Sequence, residues 1–155
     1  MAINVSPATR ADIVGCLTID PLVGEDRARG PYIEKHIGAG RGWIARRNGA
    51  IVGFAIMGAF FGHEMLELIR VAEEERRTSV GSALMDAIEA ACAGDRLFTS
   101  TNESNAPMRA LCLKRGWLAS GHVDNLDPGR RRLNLDALPC ILLQGQRKLP
   151  RHVRR

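Results

Sequence analysis

A strand-to-helix junction near the middle of the chain constrains most strongly how this sequence can fold and what it can bind. The apolar run from Leu66 to Val71 predicts a strand, and apolar residues at three- and four-residue steps predict a helix from about Ser79. Two arginines, Arg76 and Arg77, precede the small residues at the helix start. A helix N-terminus carries unpaired N–H groups and about half a positive charge. Because small residues let that backbone approach a ligand, the junction predicts an anion site suited to a phosphate or diphosphate.

The same stretch, residues 76–85, also fits a solvated basic loop, and the sequence leaves both interpretations open. The chain contains neither the P-loop string that ends in Gly-Lys-Ser/Thr nor the G-x-G-x-x-G dinucleotide fingerprint. A diphosphate at this junction would therefore bind through a different pattern.

The size and composition are those of one globular domain. The chain has 155 residues, of which 45% are hydrophobic and 25% charged. No apolar run approaches the roughly 20 residues of a membrane span, and the first residues show no signal-peptide pattern. We expect a cytoplasmic protein without membrane contact.

The cysteines and histidines lack the spacing of metal ligands. Cys16, Cys92, Cys112 and Cys140 include no Cys-x-x-Cys pair, and the four histidines show no ligand spacing either. In a cytosol the thiols should stay reduced. We expect no metal.

The net charge of +5 is concentrated in the C-terminal tail. Residues 147–155 contain five basic residues and no acid, so the rest of the chain is neutral. Such a tail is typically solvated. A second basic cluster, Arg130-Arg131-Arg132, follows a predicted turn. An RNA-binding role for these clusters is a weaker alternative, because seven aromatic residues offer few stacking platforms. Nucleic acid is therefore an unlikely partner.

Periodicity and turn signals predict seven strands and four helices in the order β-α-α-β-β-β-α-β-α-β-β. Asn48-Gly49 between two apolar runs is a strong hairpin signal. Thr9 and Asp12 resemble a capping box, while Asn105 and Gly116 bracket a further helix. The predicted strands lie at 3–5, 42–47, 50–58, 65–71, 96–101, 117–124 and 140–147, and the predicted helices at 9–19, 31–37, 79–92 and 105–116.

Two segments resemble the GCN5-related N-acetyltransferase (GNAT) superfamily. The diphosphate loop of that family has the pattern Gln/Arg-x-x-Gly-x-Gly/Ala, in which Arg76 matches the first position and Gly81 the last. Ser79 stands where the family usually has its first glycine, and serine adopts left-handed backbone angles less readily. Residues 104–117 resemble the family's later segment, which begins with Ser-Asn and ends with Tyr-x-x-x-Gly-Phe. The two segments follow each other in the expected order, with one helix and one strand between them.

The resemblance covers nearly the whole chain and implies the GNAT fold. This is a single α/β domain whose mixed, mainly antiparallel central sheet is splayed between the fourth and fifth strands and flanked by helices. We expect the domain over residues 1–149 and a basic, disordered tail over residues 150–155. Dimers are common in the family, which makes a homodimer a possible assembly.

The resemblance also implies which residues hold acetyl-coenzyme A (acetyl-CoA), the cosubstrate of the family. Its diphosphate would bind main-chain N–H groups at the helix start, and its pantetheine arm would follow the fourth strand. There a backbone N–H would polarise the thioester carbonyl. The implied coenzyme-binding residues are Ile69, Val71, Arg76, Arg77, Thr78, Ser79, Val80, Gly81, Ser82 and Asn105.

Glu67 and Cys112 are the candidate catalytic residues. In the register of the family, its fourth-strand carboxylate falls at Met65, which is flanked by Glu64 and Glu67. Glu67 would act as general base if the fourth strand carries a bulge, and its alternative is an exposed strand carboxylate. Cys112 occupies the position of the family's leaving-group acid, a tyrosine, and its alternative is a small packing residue. The thiol of coenzyme A has a pKa near 8.5, so departure of the unprotonated thiolate at pH 7 costs only roughly 2 kcal/mol more than departure of the protonated thiol.

Together these features predict transfer of an acetyl group from acetyl-CoA to a primary amine by direct attack in a ternary complex. Deprotonating a lysine amine at pH 7 costs about 4–5 kcal/mol, whereas an α-amine costs about 1 kcal/mol. A site without an obvious base therefore favours a small-molecule or peptide α-amine. The alternative is a catalytically weakened acyl-CoA-binding sensor or interaction module of the same fold.

Overall fold

A computed structural model describes residues 2–123 and 140–146, and the elements within them follow the predicted order. The strands are β1 (Asn4–Pro7), β2 (Gly42–Arg47), β3 (Ala50–Phe60), β4 (His63–Val71), β5 (Arg96–Asn102), β6 (Leu118–Val123) and β7 (Cys140–Gln146). The helices are α1 (Ile13–Ile19), α2 (Arg29–Gly38), α3 (Val80–Ala91) and α4 (Ala106–Lys114). Short 3₁₀ turns span Arg10–Asp12, Pro21–Gly24 and Glu73–Glu75.

The strands form a mixed sheet in the order β1-β2-β3-β4-β5-β7-β6. The pairs β1–β2, β2–β3, β5–β7 and β6–β7 are antiparallel. This confirms the α/β class predicted from the sequence. Two helix starts differ from prediction: the first helix opens with a 3₁₀ turn, and α2 begins at Arg29, two residues before Pro31.

Two tight turns with left-handed backbone angles join β2 to β3 and β3 to β4. Asn48 and Gly49 have φ angles of 52° and 81°, which confirms the predicted hairpin. Phe61 and Gly62 have φ angles of 48° and 80°, and this second turn was not predicted. Because Phe-Gly lacks the Asn or Asp that marks such turns, the sequence predicted strands that end too early on one side and begin too late on the other.

The chain divides into two compact units. The first comprises residues 1–59 and 66–91, and the second comprises residues 60–65 and those from 92 onward. Each is described by itself below.

In the first unit, α1 and α2 cover one face of the strands. Successive residues of β3 face opposite sides of the strand. Phe54 and Ile56 therefore lie in the core on the α1 and α2 side, whereas Gly53 faces α3. Burying each large apolar side chain contributes about 1.5–3 kcal/mol. The core consists of Ala8, Cys16, Ile33, Ile37, Ile44, Phe54, Ile56 and Leu68.

A buried carboxylate, Asp12, ties the start of α1 to the strands of the first unit. Its Oδ2 accepts hydrogen bonds from the Thr9 N–H (2.8 Å) and the Thr9 hydroxyl (2.9 Å), which confirms the predicted capping box. Its Oδ1 accepts a hydrogen bond from Arg46. Burial alone would raise the pKa of Asp12, but the Thr9 and Arg46 hydrogen bonds outweigh it and lower that pKa below its usual value of 3.8.

The lowered pKa of Asp12 predicts a loss of stability in acid. Ionised Asp12 contributes its full stabilisation to the fold at any pH above the pKa that Asp12 has in the unfolded chain. This stabilisation is lost as the pH falls through the lower pKa that Asp12 has in the folded protein. Urea unfolding measured from pH 7 down to about pH 2 should show this loss, and Asp12→Asn should flatten the curve at its acidic end. The exposed Asp95 provides a matched control, since Asp95→Asn should leave the curve unchanged. An Asp12→Asn curve that overlays the wild type would contradict the prediction.

In the second unit, α4 begins and ends with the predicted caps. The Asn105 side chain accepts a hydrogen bond from the Met108 N–H at 3.3 Å. At the other end Gly116 has a φ of 80°, and the N–H groups of Gly116 and Trp117 bond to the carbonyls of Leu113 and Cys112. This is a Schellman motif, and it confirms Gly116 as the helix stop.

Trp117 anchors the sheet of the second unit. It is 2% exposed and lies against Gly145 of β7, where an added Cβ would come within 2.4 Å of its indole ring. A glycine is required at that position because only a bare backbone leaves room for the indole.

Several predictions fall on residues outside the described ranges. These are the Arg130-Arg131-Arg132 cluster, the basic tail over 147–155 and the strand end at residue 124. In the part of the chain that is described, no helix is long and apolar enough to cross a membrane.

Candidate active site

The junction between β4 and α3 is a tight connection that contains two left-handed residues. After the 3₁₀ turn Glu73–Glu75, Arg76 is extended, Arg77 has a φ of 63° and Ser79 has a φ of 69°. The first helical hydrogen bond of α3 runs from the Ala83 N–H to the Ser79 carbonyl at 2.9 Å. Ser79 therefore adopts the conformation for which glycine is the usual residue, although its side chain gave no signal of it in the sequence.

The start of α3 is fixed by its packing against β3. A Cβ added to Gly53 would lie 2.8 Å from Val80 Cγ1 and 3.0 Å from the Arg70 carbonyl oxygen. Val80 is 1% exposed, and Leu84 one turn later is completely buried. Since Gly53 alone leaves room for this approach, the first turn of α3 has a fixed position in the first unit.

The charges and N–H groups at this helix start favour an anion. Arg76, Arg77 and Ser79 are exposed, and the first turn of α3 contains no acidic residue. The amides of Val80 and Gly81 precede the first intrahelical hydrogen bond, so helix geometry gives them no carbonyl partner four residues back. Their N–H groups and the helix dipole both attract a negatively charged group.

A polar cluster on the first unit joins Glu67 of β4 to two residues of α2. The Tyr32 hydroxyl donates a hydrogen bond to Glu67 Oε2, and His36 Nε2 lies 3.7 Å from the same oxygen. The rings of Tyr32 and His36 are 4.2 Å apart between centroids. Both residues fall within the second predicted helix, 31–37, and their four-residue spacing was the one available hint that they lie together.

The hydrogen bonds of this cluster define its proton positions. Burial, and then the hydrogen bond to Glu67, raise the pKa of Tyr32, so the phenol keeps its proton at neutral pH and acts as the donor. His36 Nδ1 lies 2.8 Å from the Tyr32 backbone oxygen, which can only accept, so Nδ1 carries a proton. The other ring nitrogen, His36 Nε2, is the one that faces Glu67.

The Glu67 carboxylate lies against Gly58 of the neighbouring strand β3. A Cβ added to Gly58 would lie only 2.0 Å from Glu67 Oε1, so the carboxylate occupies the space above that glycine. Gly58 lies on the face of β3 that carries Phe54 and Ile56, and Leu68 belongs to their core. Glu67 and Leu68 are consecutive in β4, yet the Glu67 carboxylate lies above Gly58 while Leu68 packs in the core with Phe54 and Ile56.

The remaining residues of the implied site fall into both units. Ile69 and Val71 are half-buried in β4, and all the candidate residues between Glu67 and Ser82 lie in the first unit. Asn105 and Cys112 belong to the second unit. The Asn105 side-chain oxygen is engaged as the cap of α4, and Cys112 is completely buried within that helix. In the described ranges, 2–123 and 140–146, no group of three or more potential metal ligands is found.

Comparison with known proteins assigns this arrangement to a family. A family model described as the acetyltransferase (GNAT) family matches residues 11–117. The crystal structure of a GNAT-family acetyltransferase from Bacillus cereus ATCC 10987 is 30% identical, with a TM-score of 0.84 over 96% of this chain and 100% of that one. No sequence match to a curated protein is significant.

Two further structures share the fold at lower identity. The ribosomal-protein-S18-alanine N-acetyltransferase from Escherichia coli is 18% identical, with a TM-score of 0.75 and 99% of each chain covered. The acetyltransferase yncA from Salmonella typhimurium, solved with its cofactor acetyl-CoA, is 16% identical, with a TM-score of 0.73 and 97% of each chain covered. The family model spans most of the sequence and a 30% identical structure matches nearly all of it, so this chain belongs to the GNAT acetyltransferase family.

Proposed function

We propose that this protein transfers an acetyl group from acetyl-CoA to a primary amine, by direct attack of the amine on the thioester. The observation that supports it most directly is the junction before α3, where Arg77 and Ser79 are left-handed and the first N–H groups of the helix have no helical partner, within the family-matched segment. A small-molecule or peptide α-amine is the favoured acceptor, because it loses its proton at a cost of about 1 kcal/mol near pH 7.

In this proposal the junction holds the diphosphate of the coenzyme. The N–H groups from Arg77 to Ser82 and the charges of Arg76 and Arg77 would bind its oxygens. The backbone of β4 near Ile69 and Val71 would hold the pantetheine arm and donate an N–H to the thioester carbonyl. Asn105 would contribute a further contact to the coenzyme.

Glu67 is the proposed general base. The attacking amine forms a bond to the acetyl carbon, the resulting ammonium loses a proton to Glu67, and the carbon–sulfur bond breaks to release the coenzyme thiolate. Tyr32 and His36 fix the carboxylate, Tyr32 through its hydrogen bond and His36 through its position beside the same oxygen. A base of this kind contributes typically 10²–10⁴-fold to a rate.

Cys112 is the proposed proton donor to the leaving thiolate, with the packing role as its alternative. Its complete burial fits a packing residue. Cys112→Ala should lower the free energy of unfolding by about 1–2 kcal/mol through the lost contacts, and its effect on kcat decides between the two roles. A folded variant with unchanged kcat would reject Cys112 as the acid. A fall approaching 30-fold, the equivalent of roughly 2 kcal/mol, would support it.

The test of the proposed function combines binding and turnover. Calorimetric titration with CoA should show binding, and a thiol reagent should detect release of free CoA from acetyl-CoA in the presence of a suitable amine. The amine panel should pair each α-amine with a lysine-type amine of similar size. Binding without turnover on any amine would instead support a sensor or interaction module, and the absence of CoA binding would overturn both.

Two further proposals concern the setting of the reaction. We propose a cytoplasmic location, which fractionation tests, and a homodimer, which light scattering on the purified protein tests. A membrane-bound fraction or a monomeric mass would overturn the respective proposal.

A further inference from the structure

We infer that Arg47, at the end of β2, is a positioning residue for the coenzyme-binding junction. The inference rests on the proposed function and adds a residue that the family resemblance did not implicate. Arg47 lies 31 positions before Thr78 in the sequence, yet its guanidinium contacts the junction.

The contacts of Arg47 form a closed network with Glu75 and Thr78. Arg47 Nη1 donates a hydrogen bond to Glu75 Oε2, and Nη2 donates to the Thr78 carbonyl at 3.1 Å and approaches the Thr78 hydroxyl at 3.3 Å. The Thr78 hydroxyl lies 2.7 Å from the Glu75 carbonyl and 3.0 Å from Glu75 Oε2. The side chains of Arg47 and Glu75 are about four-fifths buried, which makes these charge-assisted bonds less sensitive to solvent.

The bond to the Thr78 carbonyl determines where the next N–H points. The peptide between Thr78 and Ser79 is trans, so its C=O and N–H groups point in opposite directions. Because Arg47 holds the carbonyl on its own side, the Ser79 N–H points away from Arg47. This is the orientation that a diphosphate at the exposed side of the junction requires.

The network also stabilises an unfavourable backbone. Arg77 and Ser79 flank Thr78, and both have left-handed φ angles that non-glycine residues adopt only when the surroundings hold them there. Arg47 contacts Thr78 at both its carbonyl and its hydroxyl, between these two residues. Without Arg47 the junction would sample other conformations. CoA would then bind only the fraction of molecules in the binding conformation, which lowers its apparent affinity.

The neighbouring residue Arg46 provides a matched control. It is also an arginine on β2 in an ion pair with an acid of the same unit, but its partner is Asp12, in the 3₁₀ turn before α1. Arg47→Met and Arg46→Met both remove a guanidinium and keep an apolar stem. Arg47→Lys keeps the charge near Glu75 but cannot reproduce the planar fork that reaches both Glu75 and Thr78.

The experiment measures Kd for CoA by calorimetry, KM and kcat for acetyl-CoA, and stability by urea unfolding. Arg47→Met should raise Kd and KM about tenfold, the equivalent of one lost charge-assisted hydrogen bond, with kcat at saturating acetyl-CoA unchanged. Arg47→Lys should weaken binding less, and Arg46→Met should leave Kd unchanged while lowering stability. This split distinguishes positioning from a general loss of stability.

Each other outcome overturns a specific statement. Equal Kd values for Arg47→Met and wild type, with CoA binding intact, overturn the inference and leave the proposed function standing. Full rescue by Arg47→Lys also overturns it, because a point charge would then suffice. Failure of the wild-type protein to bind CoA overturns the proposed function and the inference with it.

Discussion

Replacing Glu67 by glutamine should lower kcat by about 10²–10⁴-fold at pH 7 while leaving CoA binding intact. Glutamine keeps the size and a hydrogen-bond acceptor for the Tyr32 hydroxyl, but it cannot take a proton from the attacking amine. The loss should be larger for a lysine-type amine than for an α-amine, because more of the higher-pKa amine is protonated. Steady-state kinetics on both acceptors, with acetyl-CoA saturating, measures the difference.

Three variants serve as comparisons for the Glu67 experiment. Glu34→Gln changes an exposed glutamate of α2 and should leave kcat unchanged. Tyr32→Phe should reduce kcat less than Glu67→Gln, because it removes only the hydrogen bond that fixes the carboxylate, while Glu67 itself remains as the base. Gly58→Ala would place a methyl group where the carboxylate lies and should reproduce much of the Glu67 defect. A folded Glu67→Gln protein with wild-type kcat on every amine would exclude Glu67 as the base.

Replacing Ser79 by valine should weaken CoA binding by about 5–150-fold, because a β-branched residue at a left-handed φ costs about 1–3 kcal/mol. Ser79 has a φ of 69° and directly precedes α3, so the strain falls on the junction itself. The Ser79→Val protein would relieve this backbone strain by rotating the peptide groups whose N–H groups would bind the diphosphate. Calorimetric titration with CoA measures the change.

The opposite substitution separates backbone conformation from side-chain chemistry. Ser79→Gly restores the residue usual in the family and fits the left-handed angle without strain, so CoA affinity should be kept or improved. If the Ser79 hydroxyl itself contacted the coenzyme, glycine would weaken binding as valine does. Equal losses of CoA affinity in Ser79→Gly and Ser79→Val would therefore contradict the backbone interpretation. Unchanged CoA affinity in Ser79→Val would show that the junction is not part of the coenzyme-binding site.

The predictions that succeeded rest on short-range signals in the sequence. Asn48-Gly49 specified a hairpin because both residues adopt left-handed angles readily. Thr9 and Asp12, three positions apart, form the capping box that the spacing predicted. The apolar positions of α3 recur with the helical period, which places Val80 and Leu84 in the core. Each of these features depends on residues within one or two turns of chain.

The predictions that fell short concern turns formed by residue types that are unusual in such turns. The Phe61-Gly62 turn uses an aromatic residue at a position where asparagine or aspartate is usual, so the strand ends were misplaced. Serine adopts left-handed angles less readily than glycine, yet Ser79 occupies that region directly before the buried Val80, which packs where Gly53 leaves room. Packing of distant residues outweighed the intrinsic preference of the serine backbone.

By itself the sequence determined the order of strands and helices, the helix caps, and the junction that identifies the family, since these follow from periodicity and short spacings. Only the tertiary structure decided which side chains meet: Tyr32 of α2 reaches Glu67 across 35 positions, and Arg47 reaches Thr78 across 31. Such pairs leave no repeating pattern in the chain, because their distance is set by how the strands and helices pack. The partners of the candidate base and the support of the coenzyme junction therefore became visible only in the folded protein.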